Sequence, residues 1–232
     1  MDFLIQAILW VTAVAQFVVA VMSFINGGLA RKTIVGALAM MVGAVWTVTF
    51  ALTWELSEED VFFANQVVIS LGMVLMYFFC LLGMAFQEIK AKYFYISSVL
   101  MALPIISICL SVIYAINFYI PEIDMVVLED GSTKIRLVTN PLGFGMIAFV
   151  GLLYVGIGTA SLVYARKHAE TARGKKLIRN VIIGLMIGFW SPMIFNLANA
   201  EIHEVHWIGP VGLLAMAILV YTTLTHHGDD EL

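Results

Sequence analysis

Charge is what this chain has least of. Only 12% of its 232 residues are Asp, Glu, Lys or Arg, against about 25% in an ordinary soluble domain. Hydrophobic residues make up 62% and the mean hydropathy is +0.98. A soluble globule of this size cannot hide so much apolar surface, so lipid must be the main solvent. Cysteine is nearly absent too. Cys80 and Cys109 both fall inside apolar runs, where a free thiol packs as a small filler rather than building a disulfide framework. There is no glycine-rich phosphate loop and no Cys/His zinc signature. Apart from Arg179, the third residue of its run, the apolar runs contain no Asp, Glu, Lys, Arg or His. That excludes intramembrane proteases and proton pumps, which need ionisable or nucleophile–base pairs within the membrane. The last run lacks the lysine that a retinal Schiff base requires, and the 13 methionines are spread without a copper-like cluster.

What is present is a series of seven apolar stretches, at residues 3–25, 33–54, 61–86, 95–118, 141–165, 177–198 and 208–225. Each is long enough to cross the membrane as a helix, which satisfies its own backbone hydrogen bonds in lipid. The alternating ten-residue segments of a β-barrel are missing. The expected fold is therefore an all-α membrane protein: one seven-helix bundle over residues 1–232. Seven spans take about 150 residues. The rest is too little for a separate kinase, nuclease or nucleotide-binding domain on this polypeptide. The first stretch lacks a basic leader and a clear cleavage site, and is expected to be a retained span.

The charges that do occur are segregated. Arg31, Lys32, Lys90, Lys92, Arg166, Lys167, Arg173, Lys175, Lys176 and Arg179 follow the odd-numbered stretches, ten of the twelve basic residues. The opposite side holds Lys134 and Arg136 among ten acids. The positive-inside rule then places the N-terminus outside and the C-terminus in the cytoplasm of a multi-pass protein of the cell's inner (cytoplasmic) membrane. Between the fourth and fifth stretches, two β-prone runs, 124–128 and 133–138, flank Glu129-Asp130-Gly131-Ser132 and read as a short outer hairpin.

Polar side chains are costly in lipid, and many here lie in the outer halves of the spans: Gln6, Asn65, Gln66, Ser70, Ser111, Asn117, Asn196 and Asn199. Trp10, Trp46, Trp54, Tyr114 and Trp190 join them. One reading is a cavity open to the outside, with Trp46, Asn65, Gln66, Trp190 and Asn196 as its ligand-binding residues. The other is that the amides bind helix to helix and the aromatics form the interfacial belt. In the sixth stretch, Gly184 and Gly188 precede Pro192, which has no N–H for the carbonyl of Gly188. A kink is expected there, with Gly188 and Pro192 as a switch or as a static bend. Glu201, His203, Glu204 and His206 cluster outside but match no metal motif, so neither a metal site nor a cofactor is assigned.

Four stretches carry a family resemblance. They are Val45-Trp46-Thr47 with the acidic Ser57-Glu58-Glu59 turn, and the aromatic third span from Phe62 to Phe86. The others are Tyr164-Ala165-Arg166-Lys167 running into Thr171-Ala172-Arg173-Gly174-Lys175-Lys176, and Asn196 with Gly209-Pro210-Val211-Gly212. Together they resemble the N-terminal seven-helix sensor region of bacterial and archaeal membrane histidine kinases. The resemblance implies an input module of a two-component system, passing a signal from its seventh helix to a cytoplasmic signalling domain or partner protein, with a homodimer among its expected assemblies. The sequence departs from the family at its end, where Gly228 and the run Asp229-Asp230-Glu231 stop a helix instead of extending it. It reads as a truncated sensor or a stand-alone relative.

The leading expectation is a sensory or receptor module, not an enzyme, that takes a small or lipid-derived ligand from the outer side. Membrane lipids are expected partners, with the basic turn 166–179 as a contact for anionic lipid or an effector; nucleic acid is not. A small-solute transporter or a structural membrane subunit are the alternatives, the first weakened by the absence of an internal repeat.

Overall fold

The computed structural model describes residues 2–27, 30–53, 58–87, 89–113, 122–127, 133–138, 141–190 and 208–225. Its helices are α1 (Asp2–Gly27), α2 (Arg31–Leu52), α3 (Glu58–Ala85), α4 (Ala91–Ile113), α5 (Pro141–His168), α6 (Ala172–Leu185) and α7 (Ile208–Thr225). Five of these, α1 to α5, hold runs of 22 to 25 residues with mean hydropathy between 2.0 and 2.4, long and apolar enough to cross a membrane. The shorter Gly209–Thr222 run of α7 is also apolar. Two strands, β1 (Glu122–Val127) and β2 (Thr133–Val138), pair antiparallel, with Glu122 opposite Val138 and Val127 opposite Thr133. The turn expected between them lies outside the described residues, as does the Glu201–His206 cluster.

The sixth stretch differs most from its expectation. Regular α-helix starts at Ala172, because Thr171 adopts an extended conformation and its hydroxyl accepts the Gly174 N–H at 3.0 Å. The helix is amphipathic, burying Gly174, Leu177, Ile178 and Val181 and exposing Arg173, Lys175, Lys176 and Arg179. Beyond Leu185 it widens into a π-helical turn over Met186–Trp190. The sequence supplies a reason: with no N–H at Pro192, the carbonyl of Gly188 has no α-helical partner, and the ladder just ahead of it changes register.

Helix neighbours follow a ring, α1–α2–α3–α5–α6–α7 and back to α1, with α2 also touching α7 and α4 packed on the outside of α3. Lipid tails are as apolar as leucine, so such helices associate through close packing and hydrogen bonds rather than through hydrophobic burial. The ring accordingly closes on small residues. A Cβ on Gly158 of α5 would stand 2.9 Å from the carbonyl oxygen of Phe79, and Gly158 in turn lies against Gly83, so α3 and α5 meet backbone to backbone. α1 is inside out relative to a soluble helix. It buries Leu9, Thr12, Ala13, Gln16, Ala20 and Ser23 at coiled-coil spacing, and exposes Phe3, Leu4, Val11, Val14, Val18 and Ile25.

Ten of the twelve basic residues lie at the start of α2, around the α3–α4 junction and around the α5–α6 junction, at one end of the bundle. Arg31 Nη1 donates to the carbonyl of Ile89 at 2.8 Å, and its guanidinium lies 4.6 Å from the Phe94 ring centroid. Asn26 Nδ2 donates to Tyr221 Oη at 3.0 Å, joining the last turns of α1 and α7. The end of α3, the end of α5 and the start of α6 enclose a pocket at this same end.

Candidate functional site

The polar and aromatic side chains converge where α1, α2 and α3 meet the first turn of α7. Gln16 is 1% exposed and Thr47 is fully buried. The carbonyl of Pro210 can only accept, so the Gln16 amide must turn its Nε2 toward it, at 3.1 Å, leaving Oε1 to accept from Thr47 Oγ1 at 3.0 Å. Thr47 Oγ1 also lies 2.9 Å from the carbonyl of Gly43. Its one proton therefore has two acceptors, one on another helix and one in its own. The next residue along α2, Trp46, donates Nε1–H to the carbonyl of Val68 on α3 at 3.0 Å and stacks on Phe50 with centroids 5.9 Å apart. The Trp46 ring also limits the space at Gly209. Beside Gln16 the helices leave a gap of about 10 Å³, lined in part by Gly43, Leu213 and Met216. It is at the lower limit for one water molecule.

The π turn forms a second junction, in which Gly188, Phe189 and Trp190 each meet a different helix. A Cβ on Gly188 would sit 2.8 Å from Met216 Cβ and 2.9 Å from the carbonyl of Gly212, both on α7. Phe189 meets Phe79 of α3 edge to face, with centroids 4.8 Å apart. Trp190 donates Nε1–H to Thr159 Oγ1 of α5 at 3.2 Å. Three consecutive residues thus address three different helices.

The residues singled out from sequence do not share one chamber. Trp46 sits between α3 and α7, and Trp190 against α5. Asn65, half-buried, precedes Val68 by three residues and lies on the Trp46 side of α3. Gln66 is buried, but two residues from Val68 it points the opposite way, as does Ser70 one turn later. Ser70 takes the Cys109 thiol of α4 on its carbonyl at 3.6 Å, while its own Oγ is buried without a hydrogen-bond partner. Asn196 and Pro192 lie outside the described residues. Reasoning from sequence missed Gln16, Thr47 and Thr159. For Gln16 the signal was available: Thr12, Gln16 and Ser23 repeat on one face of α1 while the bulkiest apolar residues take the other.

A bundle whose helices carry lipid-length apolar runs and tie their polar groups to one another inside is a multi-pass membrane protein. Compared with models of known families and with curated proteins, the chain matches none.

Proposed function

We propose that the chain is a membrane sensory module, resembling the input region of a histidine kinase, which takes a small or lipid-derived ligand from its aromatic-rich outer side and signals through rearrangement of α6 against α7. The observation that supports this reading most is the π turn at Met186–Trp190, an irregular element in a helix that touches α7, α3 and α5 through successive residues. π turns concentrate at functional sites. A ligand moves such an element only by binding its two arrangements unequally. Thr47 offers a matching alternative at the start of α7: its proton serves Gln16, and through it Pro210, or returns to Gly43.

A second reading, a structural membrane subunit, draws on one specific fact. The indole N–H groups of both Trp46 and Trp190 are already spent on neighbouring helices. One experiment separates the two. Exposed Lys176 and Thr222 are replaced by spin-labelled cysteine in a Cys80→Ala/Cys109→Ala background, in phosphatidylcholine nanodiscs, and the interspin distance is measured by pulsed electron paramagnetic resonance. A sensor gives two distance populations, whose ratio shifts on adding a total membrane lipid extract and in Gly188→Ala. A single narrow distance, unmoved by either, overturns the sensory reading.

A further inference from the structure

At the basic end the terminal residues of α3 and α5 and the start of α6 enclose a cavity of about 230 Å³. Phe86, Tyr164 and Ile178 form apolar wall, while Gln87, His168 and Thr171 bring polar groups to it. The polar groups retain hydrogen-bonding capacity. Gln87 Nε2 spends one proton on the carbonyl of Ser161 at 3.4 Å and keeps a second. Thr171 Oγ1 accepts from Gly174 N and keeps its own proton to donate. His168, stacked on Tyr164 at 4.0 Å, commits Nδ1 to the Tyr164 carbonyl at 2.9 Å, which leaves Nε2 for another partner.

Its position narrows what it can hold. The lipid-length runs of α3 and α5 end at Ala85 and His168, so Phe86, Gln87 and His168 mark the border between hydrocarbon and water, the level of lipid headgroups. Two exposed lysines flank it by helical spacing: Lys167 lies three residues after Tyr164, and Lys175 three before Ile178. Glu170 is the one carboxylate among the described lining residues. The volume is below the roughly 300–1,000 Å³ of drug-sized ligand sites and suits a headgroup rather than a whole lipid.

We propose that this pocket binds the phosphate-bearing headgroup of an anionic phospholipid from the leaflet facing the basic end. Lys167 and Lys175 supply the charge, Gln87 and Thr171 the donors, and Phe86 and Ile178 receive the adjoining apolar part. The site stands apart from the proposed outer ligand and does not depend on it.

The test counts lipids retained by the full chain in neutral detergent, by native mass spectrometry, during titration with dioctanoyl phosphatidylglycerol or dioctanoyl phosphatidylcholine. The expected result is one phosphatidylglycerol bound at least tenfold more tightly than phosphatidylcholine. Each lysine near an anionic surface contributes roughly a fivefold factor, so Lys167→Gln/Lys175→Gln should weaken binding by tenfold or more. Lys92→Gln/Lys176→Gln removes equal charge from the same end but off the pocket, Lys176 lying two residues from Ile178, and should change it less than twofold. Ala169→Phe, which fills the cavity and alters no charge, should abolish binding, and Glu170→Gln should strengthen it. Equal retention of the two lipids, equal losses in the two lysine pairs, or undiminished binding in Ala169→Phe overturns the proposal. So does displacement of the lipid by millimolar inorganic phosphate, which would assign the pocket to a soluble anion.

Discussion

Gln16 ties three helices together, since its amide accepts a hydrogen bond from α2 and donates one to α7. Hydrogen bonds of this kind within membranes contribute about 0.6 kcal/mol on average and up to roughly 1.7. Gln16→Leu and Thr47→Val should each lower stability by about 1 kcal/mol. Because they share one bond, the double variant should cost less than the sum, a coupling that a double-mutant cycle of detergent unfolding curves would measure. Additive losses would mean that Thr47 bonds only to Gly43. Residue type alone drew attention to Trp46 and Trp190, and both are anchored within the bundle. It could not say which way an amide faces. Asn65 and Gln66 are neighbours in sequence yet leave α3 on different sides, and only the position of α2 against Val68 reveals which of them lies on the Trp46 side.

Among the elements, α5 offers a comparison inside one helix. Gly156 has open space where a Cβ would go, whereas Gly158 faces the backbone of α3. Gly156→Ala should be neutral or stabilise by up to about 1 kcal/mol through helix propensity. Gly158→Ala should destabilise by about 1–3 kcal/mol through overpacking. Melting temperatures of the two variants in the same detergent test the pair, and a similar response in both would show that α3 and α5 are not held by this contact. Lipid-length apolar runs were readable directly from sequence, since hydropathy and charge placement answer to the bilayer itself. The two contacts that lock helices together were less so. Gly184 and Gly188 stood out as a spaced pair, but Gly83 and Gly158 are 75 positions apart and become partners only by tertiary packing. The π turn was equally hidden: Pro192 announced an irregularity in the ladder but not that the helix would widen over Met186–Trp190 instead of simply bending.

Across the whole molecule, burial is uneven. Within the apolar run of α3, 56% of the most hydrophobic window is buried by protein, and within α4 only 11%. Helices with few protein neighbours open first. In mild detergent titrated with sodium dodecyl sulfate, amide exchange should therefore appear in α4 well before α3, and simultaneous exchange would contradict this hierarchy. The ring has a further consequence for how the protein is made. Its seam is stitched by Gln16 to Pro210 and by Asn26 to Tyr221, residues 194 and 195 positions apart, so α1 is bonded to α7. A ribosome adding roughly 5–20 residues per second needs about 10–40 s to cover that interval. During that time α1 waits in the bilayer with Gln16 lacking its final partner, and any factor that shields a lone carboxamide from lipid would act on this chain before α7 is released.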